Sequence, residues 1–482
     1  MLRIFNTLTG RKEEFFPIRP GQVGMYACGV TVYDHSHIGH ARGAVVFDMV
    51  RRYLAYKGLK VTYVRNFTDV DDKIINRARE EGVSCETIAE RYIREYQKDM
   101  DALGVERADL EPKATDHMAE IIAMVQTLVD KEQAYVAEGD VLFAVDRFAG
   151  YGSLSKRKLD DMMAGARVEV DQKKRNPLDF VLWKASKAGE PAWESPWGPG
   201  RPGWHIECSA MSQAHLGQTF DIHGGGKDLV FPHHENEIAQ SEAATGCPFV
   251  KYWLHNGFVN INQEKMSKSL GNFFTIKEVL SGFDPETVRL FLLATHYRSP
   301  IDFSDQSLKD SEKARRRVYN LLQEVDDHLA NLPAPSTAGE TSGEVMAQAA
   351  AMIPDFESAM DDDFNSARAL GNLFESVRLL NSFLQVPEEE RREEAAPVLT
   401  LFRENLAKIA AVLGLFKQRP ADVLQGKGDL DAPSIEARIA QRNEARARKD
   451  WAEADRIRDE LEKEGILLKD RPGGGTDWEK NR

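Results

Sequence analysis

Residues 23–66 read VGMYACGVTVYDHSHIGHARGAVVFDMVRRYLAYKGLKVTYVRN. The apolar run Val23–Cys28 predicts a buried strand. The polar turn Asp34–Ser36 then precedes a stretch, ending near Lys57, whose apolar residues recur at helical spacing. A second strand-like run follows at Lys60–Asn66. This order predicts a βαβ unit, and therefore a parallel sheet that binds its ligands at the carboxyl ends of its strands.

The rest of the chain predicts an α/β fold with helical additions. Strand-like runs at 219–223 and 252–260 are expected to complete the sheet, whereas the basic loops and tryptophans between 111 and 201 predict an insertion. From Asp284 onward the apolar spacing is helical. Segment 331–343 is rich in Pro, Ser, Thr and Gly, which predicts a linker.

The composition is that of an ordinary soluble protein. The 482 residues carry a formal net charge of −14, so nucleic-acid binding would have to use local basic patches. Four scattered cysteines are too few for a disulfide framework in a chain of this length. Neither a signal peptide nor a spanning apolar stretch is apparent. We therefore expect a cytoplasmic protein with no membrane contact.

His37-Ile-Gly-His40 begins the predicted helix. Residues three apart lie on one face of a helix, so both imidazoles can donate hydrogen bonds to one ligand. Gly39 leaves room for a close approach, and a helix N-terminus favours anions such as a polyphosphate. Taken alone, the motif also fits metal ligation or two exposed helix residues.

Lys265-Met-Ser-Lys-Ser269 follows a predicted strand and lies in a polar segment. The ammonium groups of Lys265 and Lys268 can fold over a triphosphate and neutralise the charge that develops during nucleotidyl transfer. An isolated lysine-rich pentapeptide is more often a solvated loop. Its occurrence after the first motif, in this order, favours nucleotide chemistry instead.

In these two motifs the chain resembles the class I aminoacyl-tRNA synthetases, whose paired signatures are HIGH and KMSKS. Four flanking stretches narrow the resemblance to the cysteinyl-tRNA synthetases: Ala27–Asp34, Asn66–Lys73, Gly203–Ser209 and Phe231–Glu237. The resemblance implies ATP-dependent ligation of L-cysteine to tRNA(Cys) through a cysteinyl-adenylate, with release of AMP and pyrophosphate. It also implies a Rossmann-like parallel-sheet catalytic domain with an insertion, followed by an α-helical bundle and a small C-terminal domain.

The resemblance assigns catalytic roles to the two motifs. His37 and His40 would hold phosphate oxygens of ATP, and Gly39 and Lys268 would contact the nucleotide. Lys265 and Lys268 would stabilise the transition state together with Mg²⁺. Catalysis would then rest on positioning and electrostatics, with no covalent enzyme intermediate.

A metal site is indicated by a separate set of residues. His233 and Glu237 are four apart, hence on one helical face, and Cys28 and Cys208 supply soft thiolates. Three further histidines compete as ligands: His223, His234 and His255. The resemblance selects Cys28, Cys208, His233 and Glu237 for one zinc ion per chain. That ion would bind the cysteine thiolate directly and exclude serine, so no editing domain is expected.

The resemblance also implies domain ranges and further binding residues. The ranges are a first catalytic half (1–110), the insertion (111–201), a second catalytic half with the zinc ligands and KMSKS loop (202–283), a helical stem-contact region (284–330), a helical anticodon-binding bundle (344–417) and a small C-terminal domain (433–482). Thr68 and Trp204 are expected to wall the amino-acid pocket, and Asp228 to bind amino or ribose groups. Alternatively, Thr68 and Trp204 are ordinary core residues, and the glycines before Asp228 simply form a turn. Cys85 and Cys247 are expected to be structural.

Two other functions stay open. A paralogous ligase could pass cysteine to an amino sugar, but it would lack an extended tail after Asn331. A non-catalytic tRNA-binding or cysteine-sensing paralogue should have lost side chains of HIGH or KMSKS. The long tail and the complete motifs favour the synthetase, which we expect to be a monomer.

Overall fold

The structure, a computed structural model, describes residues 1–157, 172–261, 264–265, 274–331, 343–387, 395–425, 432–470 and 476–480. The chain forms two compact units. Unit 1 comprises 1–311, 353–373 and 411–415, and unit 2 comprises 312–352, 374–410 and 416–482. No helix in the described ranges is both long enough and apolar enough to cross a bilayer.

The secondary structure alternates between strands and helices up to about residue 300 and is mainly helical afterwards. The strands are β1 (Arg3–Asn6), β2 (Arg11–Glu14), β3 (Gln22–Thr31), β4 (Lys60–Thr68), β5 (Ala134–Ala137), β6 (Asp140–Phe143), β7 (Phe180–Ala185), β8 (Gly200–Pro202), β9 (Phe220–Gly226), β10 (Val250–Asn256), β11 (Val259–Ile261), β12 (Glu264–Lys265), β13 (Ile301–Phe303), β14 (Ile466–Asp470) and β15 (Thr476–Lys480). The helices are α1 (Ile38–Tyr56), α2 (Asp72–Glu81), α3 (Cys85–Ala102), α4 (Met118–Asp130), α5 (Trp204–Leu216), α6 (Glu235–Thr245), α7 (Ile276–Gly282), α8 (Pro285–Leu293), α9 (Asp305–Asn331), α10 (Gly343–Met360), α11 (Ser366–Leu384), α12 (Ala395–Leu413), α13 (Pro420–Gln425), α14 (Ala432–Ala447) and α15 (Trp451–Lys463).

A four-stranded parallel sheet forms the centre of unit 1. Its spatial order is β10-β9-β3-β4, and α1 connects β3 to β4. The predicted βαβ unit and parallel sheet are therefore confirmed. The strand predicted at 252–260 is in fact two strands, because the chain leaves the sheet after Asn256 and β11 pairs with β12 and β13 instead.

The insertion folds around its own antiparallel sheet. Strands β5 to β8 pair in chain order, and α4 packs beside them. Its buried apolar side chains, including Phe143 and Trp183, belong to the same hydrophobic cluster as Cys208 and Trp253. The insertion is therefore continuous with the core that surrounds the candidate site.

Unit 1 also contains residues from far along the chain. The carboxylate of Asp363, which is fully buried, accepts hydrogen bonds from the Phe5 amide at 2.8 Å, from Tyr297 Oη at 2.9 Å and from Arg298 Nε at 2.6 Å. Residues 353–373 thus pack with the catalytic half. The compact units divide the chain differently from the predicted bundle 344–417.

The C-terminal part of unit 2 has a small core of its own. Helices α14 and α15 pack as a helical hairpin, and the β14–β15 hairpin follows it. Ile439, Ile457, Leu461 and Trp478 are buried together. The sequence analysis did not predict these two strands, and Gly473–Gly475 lie outside the described residues.

A buried ion pair joins α8 to α1 in unit 1. Arg289 donates to the carboxylate of Asp48, and both side chains are about 1% exposed. Arg289 Nε also donates to the Leu413 carbonyl at 2.8 Å. Arg289→Met removes one of the two cations at Asp48, the other being Arg52 at 2.9 Å, and leaves the Leu413 carbonyl buried without this donor. We therefore expect the free energy of unfolding of unit 1 to fall by about 3 kcal/mol.

Urea unfolding followed by tryptophan fluorescence measures this loss. Arg94→Met is the matched control, because Arg94 lies on the surface of α3 in an exposed ion pair with Glu90 and should change stability by less than about 0.5 kcal/mol. Equal effects of the two substitutions would contradict a stabilising role for the buried Arg289–Asp48 ion pair.

Candidate active site and metal centre

A bulge in β3 lies at the start of the site. The register between β3 and β4 shifts between Ala27 and Val30, so Cys28 and Gly29 lie in the bulge. A Cβ on Gly29 would overlap the carbonyl of Asn66, and the Gly29 amide donates to Asn66 Oδ1 at 2.9 Å. Bulges of this kind redirect a side chain away from the regular pleat.

The side chains predicted to bind a metal lie close together. The ligand atoms of Cys28, Cys208, His233 and Glu237 are all within 4.8 Å of one another. Cys28 Sγ lies 3.7 Å from Cys208 Sγ and 3.5 Å from Glu237 Oε1, and His233 Nε2 lies 3.1 Å from the same carboxylate oxygen. Two sulfurs, an imidazole nitrogen and a carboxylate oxygen are donor types that zinc binds in proteins.

A second set shares Cys28 and Glu237. Its other members are His223 and His234, and its ligand atoms also lie within 4.8 Å of one another. His234 Nε2 lies 3.3 Å from Cys28 Sγ, and His223 Nε2 lies 2.8 Å from Glu237 Oε2. Two of the three histidines that the sequence leaves open as competing ligands are therefore at the centre.

These side chains form a coupled charge cluster. Burial raises the pKa of the Cys28 thiol, whereas the hydrogen bond that Cys28 donates lowers the pKa of Cys208 to about 6. Burial would raise the pKa of Glu237, but His223 and His233 hold it well below its usual range. At neutral pH the cluster therefore offers a thiolate and a carboxylate to a cation.

The third competing histidine lies behind the cluster. His255 Nε2 is 2.8 Å from His234 Nδ1, and His255 Nδ1 is 2.8 Å from Thr7 Oγ1. Burial, followed by the nearby His223, lowers the pKa of His255 to about 3, so this ring is neutral at pH 7. His255 therefore orients His234.

The first turn of α1 carries the other predicted motif. His37 is the N-cap of α1, and its Nδ1 accepts from the Gly39 amide at 3.0 Å, while His40 Nδ1 accepts from the His37 amide at 3.4 Å. The two rings stack with centroids 3.7 Å apart. Because each Nδ1 accepts, each neutral ring carries its proton on Nε2, which is therefore a donor.

A cavity of about 440 Å³ extends from Cys28 to the His37–His40 turn. Its lining includes Cys28, His37, Gly39, His40, Trp204, Gly226 and Asp228. Trp204 stacks on the ring of His233 with centroids 4.1 Å apart. A Cβ on Gly226 would collide with the Asp228 carboxylate, so this glycine lets Asp228 turn back over the strand end.

Thr68 is placed differently from the expectation. It is buried, and its Oγ1 donates to Glu207 Oε2 at 2.8 Å; among the described residues it is not part of the cavity lining. Glu207 directly precedes Cys208 on α5. Thr68 thus contacts the helix that carries a candidate ligand, a role that its place in the Asn66–Lys73 stretch did not indicate.

The KMSKS segment is only partly described. Lys265 ends β12, and its side chain, like residues 266–273 with Lys268, lies outside the described part. The flanks lie close to the cavity: Lys265 pairs with Asn260 next to the cavity residue Val259. On the other side, Ile38 donates its amide to the Phe274 carbonyl at 3.2 Å.

Family models match most of the chain. A model described as the tRNA synthetases class I (C) catalytic domain matches residues 14–313, a DALR domain matches 355–417, and a Cysteinyl-tRNA ligase anticodon binding domain matches 429–478. The chain is 57% identical over 488 residues to a cysteine–tRNA ligase of Pelobacter propionicus, covering 98% of this chain and 99% of the relative. It is also 57% identical over 485 residues to one of Geobacter sulfurreducens, covering 99% of each.

Solved structures agree on the fold. Mycobacterium tuberculosis methionyl-tRNA synthetase in complex with methionyl-adenylate is similar with a TM-score of 0.66 at 15% identity, covering 83% of this chain and 93% of that one. A ternary LeuRS–tRNA–LeuAMS complex of Agrobacterium radiobacter K84 has a TM-score of 0.61 at 12% identity, covering 85% and 86%. The architecture is therefore that of a class I synthetase.

Proposed function

The chain belongs to the cysteine–tRNA ligase family of class I aminoacyl-tRNA synthetases, and on this basis we propose that it catalyses ATP-dependent ligation of L-cysteine to tRNA(Cys). In the first step a cysteine carboxylate oxygen attacks the α-phosphorus of ATP, which gives cysteinyl-adenylate and releases pyrophosphate. In the second, a hydroxyl of the terminal tRNA ribose takes the acyl group and AMP leaves. The observation that carries the proposal is one cavity lined by both Cys28 and the His37–His40 turn.

The cysteine side chain is selected at the cluster of Cys28, Cys208, His233 and Glu237. These residues fit a zinc ion because two sulfurs, an imidazole nitrogen and a carboxylate oxygen lie within 4.8 Å of one another at buried or half-buried positions. Zinc held there would supply a direct bond to the thiolate of the substrate. Serine offers no soft anionic sulfur, so a site built around this contact excludes it.

The nucleotide is bound at the N-terminus of α1. The Nε2–H groups of His37 and His40 donate to phosphate oxygens. Gly39 has no side chain, so the backbone of the protein can come close to these oxygens. Lys265 and Lys268 neutralise the charge on the leaving pyrophosphate, with Mg²⁺ as the partner of ATP. No side chain forms a covalent bond to the substrate, so catalysis depends on positioning and charge.

The remaining predicted residues act around this pair of sites. Trp204, 40% exposed and stacked on His233, covers the amino-acid side of the cavity. Asp228 offers a carboxylate to the amino group of cysteine or to the ribose. Thr68 acts as a support, since its bond to Glu207 fixes the helix that presents Cys208.

Cysteine-dependent ATP–pyrophosphate exchange tests the proposal. Cysteine should support exchange and serine should not, by a factor of roughly 10⁴, and bulk tRNA should then accept cysteine. Exchange with cysteine but no transfer to tRNA would instead favour the amino-sugar ligase.

Removal of the C-terminal domain should separate chemistry from tRNA recognition. A cut in the predicted linker 331–343 would remove residues 353–373 as well, and these belong to unit 1. Ending the chain after Arg419 keeps them and removes α13 together with β15, against which α13 packs. We expect pyrophosphate exchange to be largely retained and the kcat/KM for tRNA charging to fall about tenfold, because tRNA contacts far from the reacting centre are lost.

The control for folding is the exchange rate of the shortened chain itself. Charging as efficient as that of the full chain would contradict a role for residues 420–482 in tRNA recognition.

A further inference from the structure

Glu235 lies in the chain between the candidate ligands His233 and Glu237, and its side chain is fully buried. Its carboxyl group accepts three backbone hydrogen bonds from the insertion. Oε1 accepts from the amides of Gly152 at 2.9 Å and Leu154 at 3.3 Å, and Oε2 accepts from the amide of Ser155 at 2.7 Å. A carboxylate suits this position because both of its oxygens accept and neither donates.

Two more contacts join the same insertion segment to the same turn. Tyr151 Oη donates to Asn236 Oδ1 at 2.5 Å, and the Arg157 guanidinium lies 4.9 Å from the centroid of the Phe231 ring. Segment 151–157 therefore contacts the chain on both sides of His233.

The turn before α6 is irregular, although the Glu235 amide donates to the carbonyls of Pro232 and Val230. Phe231 is extended, with φ −141° and ψ 130°, inside the turn Val230–His234. The N-cap of α6, His234, makes no side-chain capping bond. The direction of His233 therefore depends in part on contacts from outside the turn, among them the 2.8 Å contact of its Nδ1 with His205 Nδ1 and the bonds from segment 151–157.

We propose that Glu235 is a positioning residue for the metal centre: by holding segment 151–157 against the turn, it sets the geometry of His233 and Glu237. The inference rests on the proposed zinc site and goes beyond its ligands. Outer partners of this kind typically change metal affinity by about 10- to 100-fold when they are replaced. The insertion then contributes to amino-acid selection without touching the substrate.

Glu235→Gln is the direct test in the full-length protein. The glutamine amide keeps one acceptor oxygen, but its NH₂ group is a donor that faces a backbone N–H. The side chain at position 235 therefore loses at least one hydrogen bond to segment 151–157. We expect zinc affinity, measured by competition with a chelator, to fall about tenfold. The visible absorption of the Co²⁺-substituted protein should change as well, since it reports the ligand geometry.

Asp179→Asn is the matched control. Asp179 is also a buried carboxyl group of the insertion and accepts from the amides of Val145 and Asn176 and from Tyr135 Oη, at 2.9, 3.0 and 2.7 Å. Within the described part of the chain, its hydrogen bonds go to none of the elements that carry the ligands. This variant should lose stability but retain the zinc affinity and Co²⁺ spectrum of the unaltered protein.

Unaltered zinc affinity and Co²⁺ spectrum in Glu235→Gln would overturn the inference while leaving the zinc site intact. If that variant does not fold, Glu235→Asp decides, because it keeps both acceptor oxygens but shortens the side chain that reaches segment 151–157. A shift of its Co²⁺ spectrum in the absence of a shift in Asp179→Asn supports the inference, and an unchanged spectrum overturns it. Failure of the unaltered protein to bind zinc would overturn both this inference and the proposed zinc site.

Discussion

Cys208→Ser is expected to lower zinc content and to reduce the kcat/KM for cysteine in pyrophosphate exchange by on the order of 10³. Cys208 is buried, and its sulfur lies 3.7 Å from that of Cys28. A serine hydroxyl keeps its proton at neutral pH and is a poor ligand for zinc. Because only cysteine uses the metal, the dissociation constant of ATP should stay nearly unchanged.

Zinc content by elemental analysis and the two dissociation constants test this expectation. Cys247→Ser is the matched control, since Cys247 is half-buried and bonds only weakly to Gln218, at 3.8 Å. Equal loss of affinity for cysteine and for ATP would indicate that the metal has only a structural role. Unchanged zinc content would exclude Cys208 and favour the second ligand set: Cys28, His223, His234 and Glu237.

The central βαβ unit is the part of the fold that local sequence determines most directly. Val23–Cys28 and Lys60–Asn66 are short apolar or β-branched runs, whereas 38–56 has apolar residues at helical spacing, so periodicity alone distinguishes them. The bulge at Cys28 is not predictable in this way. It depends on the meeting of Gly29 with Asn66 from the next strand, which no local pattern records.

The competing ligands illustrate the same limit within the site. Spacing favours His233 with Glu237 because residues four apart share a helical face. The turn before α6 is not a regular helix, however, and the consecutive His233 and His234 both approach Glu237 Oε1, with Nε2 at 3.1 and 3.9 Å. Helical periodicity therefore cannot exclude His234.

The other features that the sequence did not predict arise from long-range packing and from strands with a weak sequence pattern. Asp363 bonds to Phe5 across 358 positions in sequence, and a helical pattern gives no sign of which domain such a residue joins. Strand β15, Thr476–Lys480, is largely polar and lacks the alternation that would predict a strand. Both features arise only after the chain has folded back on itself.

Lys268→Ala is expected to slow formation of cysteinyl-adenylate by about 10²- to 10³-fold while leaving the dissociation constant of cysteine nearly unchanged. Lys268 follows Lys265, the last residue of β12, by three positions in sequence. Beyond the loop, Thr275 forms a β-bridge with His37. Both flanks of the segment are thus tied to the rim of the proposed ATP site.

The charge of Lys268 matters chiefly as pyrophosphate leaves, because that is when negative charge accumulates on the leaving group. Single-turnover formation of the adenylate therefore measures the effect directly, whereas steady-state charging of tRNA would mix it with later steps. Lys277→Ala is the matched control: Lys277 is an exposed lysine on α7, nine residues further along the chain, and its loss should leave the rate unchanged. A near-normal single-turnover rate in Lys268→Ala would remove this lysine from the transition state. A parallel loss of cysteine affinity would mean that the segment acts in amino-acid binding rather than on the phosphates.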